Sequence, residues 1–531
     1  MSPSSARVLG VAGAGTMGAG IAQVACLGGF ETYLHDPFPE ALERGLDGVR
    51  KAIEQGAERG RWRASDAEEA IARLRPAPTL DDLASCDVVI EAAPEKLEVK
   101  RELFASLSAV CAPDAVLATN TSSLPVTALA TAAERPERVV GMHFFNPVPR
   151  MDLLEVVAGV ESAPGAIETA RDAGERMGKR VIVARDGPGF LANRCARPFG
   201  LEALKLLSEG VAGHGAIDRI VRMAGGFRMG PFELADLVGI DVGFEVSKSF
   251  WEQSFHEPRW RPSMIQARMV QAGRFGRKAG RGYYDYSESP HRPEDPEPLD
   301  VGGEGLVAVA GEGRIAEDLR DAISDAGYGV LDLESNGDSP EIVVDAVTGR
   351  SPLDVEPVID DPSVLVLVLC VDGSLAELDA QGGAVGFHAL PPFEDSRLVE
   401  LTRTAETTPR DADRAEHFFN SLGKHVEWVG DAPGLVLGRI VCQLVNEAAF
   451  AVAERVGTPA DVDTAMRYGY NWPRGPLVWA DTIELDHVVA TLDALQEELG
   501  EERYRTAPLL RRMVAEGRVG EATGRGFFEY D

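Results

Sequence analysis

The sequence predicts an α/β protein: a doubly wound parallel sheet followed by an all-α domain, then a shortened, degenerate repeat of both. Three observations carry that prediction. Over residues 7–185 short apolar strands alternate with amphipathic helices, the pattern of strand–helix–strand units around a parallel sheet. Residues 186–286 lack such strands and read as mostly helical; in Gly200–Val211, Leu201, Leu204, Leu207 and Val211 mark one apolar face. Finally, segments of the first half return in the second at a nearly constant offset.

In chain order, the strand candidates are Val8–Ala12, Thr32–His35, Val88–Glu91, Val116–Thr119 and Val139–Met142. The repeat is read from three ordered matches. Asp186-Gly-Pro-Gly-Phe190 returns as Asp431-Ala-Pro-Gly-Leu435, and Met229-Gly-Pro-Phe-Glu-Leu-Ala-Asp236 returns as Arg474-Gly-Pro-Leu-Val-Trp-Ala-Asp481, both 245 residues on. Arg281-Gly-Tyr-Tyr-Asp-Tyr286 returns as Arg525-Gly-Phe-Phe-Glu-Tyr530 at an offset of 244. Leu9-Gly-Val-Ala-Gly-Ala-Gly15 resembles Val307-Ala-Val-Ala-Gly-Glu-Gly313 at 298, so the second copy lacks about 53 residues after its first strand. Ser287–Gly305, rich in Pro and acidic residues, has the composition of a linker. The expected division is 1–185, 186–286, a linker at 287–305, a degenerate sheet domain at 306–430 and a second helical domain at 431–531.

A chain of 531 residues exceeds one hydrophobic core. Its 53 basic and 85 acidic residues leave a net charge of −32, which disfavours nucleic acid and anionic membranes as partners. No apolar run approaches membrane-spanning length; Val364–Val371 is strand-sized. Met1–Arg7 leads into the first strand without an apolar signal core. Cys26, Cys86, Cys111, Cys195, Cys370 and Cys442 show no metal-ligand spacing and read as reduced thiols, so a cytoplasmic location is expected and no metal.

Gly13-Ala-Gly15-Thr16-Met17-Gly18 follows the first strand and opens a helix. In that context the three glycines allow a tight turn, close approach of a pyrophosphate to the backbone, and close helix–strand packing. The helix N-terminus then faces the phosphates. This makes the first domain a Rossmann-type fold. Asp36, eighteen residues after Gly18, can accept the ribose hydroxyls of NAD and would repel a 2′-phosphate, so NAD is favoured over NADP.

Polar residues also stand where strands of such a sheet should end: Glu91-Ala-Ala-Pro-Glu95, Asn120-Thr-Ser-Ser123 and His143-Phe-Phe-Asn-Pro147. Glu155, twelve residues after His143, lies in a second apolar segment, Met151–Val156, that could run beside the first. A His–carboxylate pair fixes one imidazole tautomer and raises its basicity, as a general base for an alcohol requires. Singly, His143 reads as a core residue and Ser122 as a turn residue; their joint occurrence points to chemistry.

With Gly13–Gly18, Asn120–Ser123, His143–Pro147, Glu155, Asp186–Asn193 and Phe275–Tyr284 in order, the sequence resembles the 3-hydroxyacyl-CoA dehydrogenase family over 7–286. The resemblance implies that His143 removes the 3-hydroxyl proton, Glu155 orients it, and Ser122 and Asn193 bind the reacting oxygens of the substrate. It places Glu95, Lys100 and Lys278 near the nicotinamide half of NAD, and makes a helical hairpin within 40–79 a contact for CoA. That stretch balances eight basic against eight acidic residues and is most basic at Arg59-Gly-Arg-Trp-Arg63. A short or dicarboxylic acyl-CoA is the implied substrate.

In the second copy His388 and Glu400 align with His143 and Glu155, but Pro391 replaces Asn146, Gly438 replaces Asn193, and Glu312 sits inside the glycine loop. This half is expected not to catalyse. Its helical domain is expected to pair with the first as a second subunit does in dimeric relatives; a homo-oligomer also fits. Two alternatives stand beside the acyl-CoA reading: a dehydrogenase of a free hydroxy acid of sugar-acid or carnitine type, and a non-catalytic NAD-binding protein.

Overall fold

A computed structural model describes residues 6–287, 289–331, 339–349, 363–380 and 382–530. Met1–Ser5, part of the stretch read as leaderless, lie outside the described residues. The chain forms two compact units, Met1–Arg194 with Glu454–Asn471, and Cys195–Ala453 with Trp472–Asp531.

The first unit is built on eight strands: β1 (Val8–Ala12), β2 (Glu31–His35), β3 (Leu74–Ala77), β4 (Val88–Glu91), β5 (Val116–Thr119), β6 (Val139–Phe144), β7 (Leu153–Ala158) and β8 (Arg180–Arg185). They lie in the order β3-β2-β1-β4-β5-β6-β7-β8. All neighbours are parallel except β6 and β7, which are antiparallel. The central strands are continuous apolar runs because helices cover both faces. On one face Leu9, Val11, Ile90 and Met142 pack with Ile21, Phe30 and Ile53. On the other, Val89, Leu117 and Val139 pack with Phe104 and Leu107. The edge strands β3 and β8 instead carry exposed residues.

The five strand candidates are all present. β3, β7 and β8 complete the sheet. Helices Pro39–Glu58 and Ala64–Ala72 form the expected hairpin between β2 and β3. The first of them buries Leu42, Leu46, Val49 and Ile53, the spacing of one helical face. Strand order reverses between β1 and β4, which opens a crevice at the carboxyl ends of the strands.

The second unit holds β9 (Leu306–Ala310), β10 (Gly329–Leu331), β11 (Ile342–Asp345), β12 (Leu365–Leu369), β13 (Val385–His388), β14 (Leu398–Arg403) and β15 (His425–Trp428), in the order β10-β9-β11-β12-β13-β14-β15. Among the described residues this repeats the first sheet without its outer strand. Among the described residues no helix stands between β10 and β11, where the hairpin would be. β13 and β14 are antiparallel, as β6 and β7 are.

Helices of both repeats complete this unit. One sequence expectation needs correction here. The helix Ala192–Glu209 does not carry a single buried face, since Glu202 and Leu206 are buried along with Leu201 and Leu204, and Leu207 is only half-buried. The polar side is covered because Arg439 of the second repeat reaches Glu202 through Nε at 3.0 Å and Nη2 at 2.7 Å, and Tyr504 Oη donates to the same oxygen at 2.9 Å. Burial would raise the Glu202 carboxyl; the Arg439 and Arg503 charges outweigh it and hold it below its ordinary value. Among the described residues no helix is long and apolar enough to cross a membrane.

Candidate active site

The glycine loop joins β1 to the helix Thr16–Leu27. Gly13 has φ +119°, and a Cβ there would stand 2.5 Å from the Ala92 carbonyl oxygen. Gly18 is equally constrained, since a Cβ would meet the Gly13 oxygen. Gly15 differs: nothing lies within 4 Å of where its Cβ would be, so the backbone is open to a ligand. The helix starts without a side-chain cap, which leaves the N–H groups of Thr16, Met17 and Gly18 directed at that space. Asp36, just after β2, accepts from Ala14 N and Phe38 N, each at 3.0 Å. An open second glycine, an uncapped helix and a fixed carboxylate after β2 fit the pyrophosphate and ribose of NAD.

The ends of β4 and β5 carry a polar cluster centred on Glu95. Its Oε1 accepts from Thr121 Oγ1 at 2.6 Å, Ser122 N at 2.9 Å, Ser123 Oγ at 3.0 Å and Ser123 N at 3.2 Å. Lys100, 1% exposed, places Nζ 2.7 Å from Glu91 Oε1 and 3.2 Å from Glu95 Oε2. Burial acts to raise the Glu95 carboxyl, but these donors and the Lys100 charge outweigh it and keep it below its ordinary value. The Ser122 hydroxyl is exposed, 3.5 Å from Glu95 Oε1. Lys278 belongs to the second unit, where Nζ pairs with Asp241 Oδ2 at 2.7 Å.

The antiparallel register of β6 and β7 sets His143 directly opposite Glu155. His143 Nδ1 lies 2.6 Å from Glu155 Oε2. The other oxygen, Oε1, accepts from Ala192 N at 2.8 Å and Leu191 N at 3.2 Å. A carboxylate held by two backbone donors presents its free oxygen to the ring, so Nδ1 carries the hydrogen and Nε2 keeps its lone pair. Phe145 and Phe190 flank the imidazole at centroid distances of 4.5 and 5.7 Å. Asn193, one residue into the same helix, has Nδ2 3.5 Å from the Ser122 carbonyl oxygen. Its Oδ1 accepts from Tyr470 Oη at 2.6 Å. The fold thus brings together Ser122, Glu95, Lys100, His143, Glu155 and Asn193.

A separate cavity of about 370 Å³ lies between the hairpin and the loop after β6, lined by Gln23, Gln55, Arg59, Arg61, Pro147 and Arg150 among others. Arg63, grouped with these arginines in the sequence, instead pairs with Asp66. Among the described residues no cluster of metal-ligating side chains is present.

Sequence reasoning did not single out Thr121, Arg150 or Tyr470. The first lay inside a quoted motif. Arg150 is outside the basic segment, and Tyr470 sits in the half expected to be inactive.

The second half shows what the site looks like without its partners. β13 and β14 keep the register, with His388 opposite Glu400. Yet Glu400 spends both oxygens on backbone, accepting from Val436 N at 2.7 Å and Leu437 N at 2.9 Å. His388, 1% exposed, has no hydrogen-bond partner at either ring nitrogen among the described residues. Its ring fills the place of a side chain at Gly438, where a Cβ would be 2.4 Å away. Burial drives the His388 imidazole well below its ordinary value and the Glu400 carboxyl up to about 8. Glu312, within the second glycine loop, is exposed, and a second carboxylate, Glu484, reaches the helix that follows the loop. Its Oε2 accepts from Arg314 N at 2.8 Å, at the start of the helix Arg314–Asp325. The helix terminus that would hold a phosphate is filled by the chain's own anion.

Comparison with known proteins gives this arrangement a lineage. Residues 8–187 match the family model of the 3-hydroxyacyl-CoA dehydrogenase NAD-binding domain, and residues 189–286 and 434–530 each match its C-terminal domain. The chain is 35% identical over 506 residues to a 3-hydroxyadipyl-CoA dehydrogenase of Escherichia coli (strain K12), covering 95% of this chain and 97% of that protein. It is 40% identical over 280 residues to a 3-hydroxybutyryl-CoA dehydrogenase of Bradyrhizobium diazoefficiens, covering 53% and 95%. Among solved structures, a 3-hydroxybutyryl-CoA dehydrogenase from Escherichia coli K12 superposes with a TM-score of 0.81 at 34% identity, covering 96% of this chain and 98% of that one.

Proposed function

The chain belongs to the 3-hydroxyacyl-CoA dehydrogenase family of NAD-dependent oxidoreductases, and on that premise we propose that it oxidises a short or dicarboxylic 3-hydroxyacyl-CoA to the 3-oxoacyl-CoA at one site, built around His143. The observation that carries the reading is the 2.6 Å contact between His143 Nδ1 and Glu155 Oε2 beside Ser122 and Asn193. Bound NAD supplies the hydride acceptor. His143 Nε2 takes the proton of the 3-hydroxyl, and Glu155 stabilises the imidazolium that forms. Ser122 Oγ and Asn193 Nδ2 hydrogen-bond the substrate oxygens and so select one enantiomer. In reduction His143 returns the proton. Gly13, Gly15, Thr16, Met17, Gly18 and Asp36 hold the cofactor, with Glu95 and Lys100 shaping its nicotinamide end; Lys278 stays in this reading on the family resemblance alone.

The Arg59, Arg61 and Arg150 cavity supports CoA recognition, since three guanidinium groups suit phosphates in a chain of net charge −32. The domain division of the sequence reading is kept as part of this proposal: 1–185, 186–286, a linker at 287–305, 306–430 and 431–531. We read residues 431–531 as an internal substitute for a partner subunit's helical domain, supported by the buried Arg439–Glu202 pair. A cytoplasmic location belongs to the same reading, supported by six buried free thiols.

The test is NADH oxidation with acetoacetyl-CoA, run beside free acetoacetate and with NADPH as control. Turnover with NADH and the CoA ester alone is the expected result. Turnover with free acetoacetate would favour a hydroxy-acid dehydrogenase.

A further inference from the structure

The segment Glu454–Asn471 belongs by sequence to the second helical repeat and by structure to the first unit. It is bound there by specific contacts. Arg185 N donates to the Val456 oxygen at 2.9 Å, and Arg194 Nη1 lies 2.7 Å from Glu454 Oε2. The Arg180 guanidinium stacks 4.2 Å over the Tyr468 ring. Gly469 closes on β7 so tightly that a Cβ would stand 2.6 Å from Leu153 Cδ2. These contacts deliver Tyr470 to the active site. Its ring meets Phe145 edge-on at 6.4 Å, and Phe145 lies 4.5 Å from the His143 ring.

We propose that Tyr470 is a positioning residue of the active site, a hydroxyl donor supplied by the second half to fix the Asn193 amide. The Ser122 carbonyl can only accept, so the NH₂ of Asn193 must face it, and Oδ1 must face Tyr470. Tyr470 therefore donates. With Oδ1 held at 2.6 Å, the amide cannot turn to present an acceptor where a substrate oxygen needs a donor. The 245-residue offset places Gly225 opposite Tyr470 and Gly438 opposite Asn193. Gly225 lies against Leu437, the neighbour of Gly438, where its Cβ would be 2.9 Å from Leu437 Cδ1. The second half thus gives a tyrosine to the working site and receives a glycine at its own, where no amide needs orienting. The proposal rests on Asn193 binding substrate.

The test is a double-mutant cycle on the full chain with acetoacetyl-CoA and NADH. Tyr470→Phe keeps the ring on Phe145 and removes the hydroxyl. It is expected to lower kcat about fivefold to tenfold, the worth of one oriented hydrogen bond, with NADH affinity and melting temperature unchanged. Asn193→Ala should cost more, and adding Tyr470→Phe to it should cost nothing further. Full activity in Tyr470→Phe beside an impaired Asn193→Ala overturns the proposal alone. Additive losses in the double variant do the same. An unimpaired Asn193→Ala overturns the reading of Asn193, and the proposal with it.

Discussion

The two sheets contain the same pair of residues in the same register, and only one pair is joined. In the first, Glu155 takes two backbone donors on a single oxygen and keeps the other for His143 at 2.6 Å. In the second, Glu400 gives one oxygen to each backbone donor and has none left for His388. The glycine at 438 lets the His388 ring settle where Asn193 has its side chain in the first half. Whether the histidine and carboxylate are joined is therefore decided less by the pair itself than by how the next helix shares out the carboxylate.

The largest effect should come from the proposed base. His143→Ala is expected to lower kcat by about 10²–10⁴-fold, while His388→Ala leaves steady-state turnover unchanged. Hydride transfer surviving His143→Ala would break the one-site reading, as would two NAD bound per chain in equilibrium dialysis.

Next in size is the buried ion pair. Arg439→Met leaves buried Glu202 facing the more distant Arg503 guanidinium at 3.7 Å, which should cost up to about 3–5 kcal/mol and lower the melting temperature. The other ion pair of Arg439, to Glu209, corresponds in the first unit to Arg194–Glu454, where the Glu454 side chain is 48% exposed. There Glu454→Gln should cost under about 1 kcal/mol. Equal losses would mean that the two contacts differ less than their burial says.

The smallest effect concerns His388. Because its folded-state imidazole stays neutral well below its ordinary value, the unfolded chain alone takes up a proton there as pH falls through about 6.5. Stability from this group is intact above that pH and declines below it. His388→Leu removes the penalty and two unpartnered nitrogens, worth about 1–3 kcal/mol. Melting temperature should rise more at pH 5 than at pH 8. A uniform gain would assign the effect to packing alone.

Five strands of the first sheet could be read from their apolar runs, because central strands covered on both faces have no polar alternation to obscure them. β3 could not. Leu74-Arg-Pro-Ala77 is short and holds a proline, which an edge strand tolerates. β8 alternates under the same edge exposure. The partner of His143 was legible as a segment, Met151–Val156, while its antiparallel pairing came from the fold. At the second glycine loop the sequence shows one carboxylate, Glu312, and conceals another: Glu484, 170 residues beyond Arg314, accepts from Arg314 N at the start of the next helix. Tyr470 was invisible for the same reason, being 277 residues from Asn193.

By itself the sequence determined the sheet, its cofactor loop, the duplication and the residue types of the site. Periodicity, glycine spacing and internal matches are local or self-referential, and they survive without coordinates. Tertiary structure alone decided which His–Glu pair is joined, which carboxylate fills a vacant helix end, and whose side chain reaches Asn193. Those outcomes turn on hydrogen bonds of 2.6–2.8 Å between groups up to hundreds of residues apart. Directional contacts of that length depend on how separate elements pack, which no local pattern encodes.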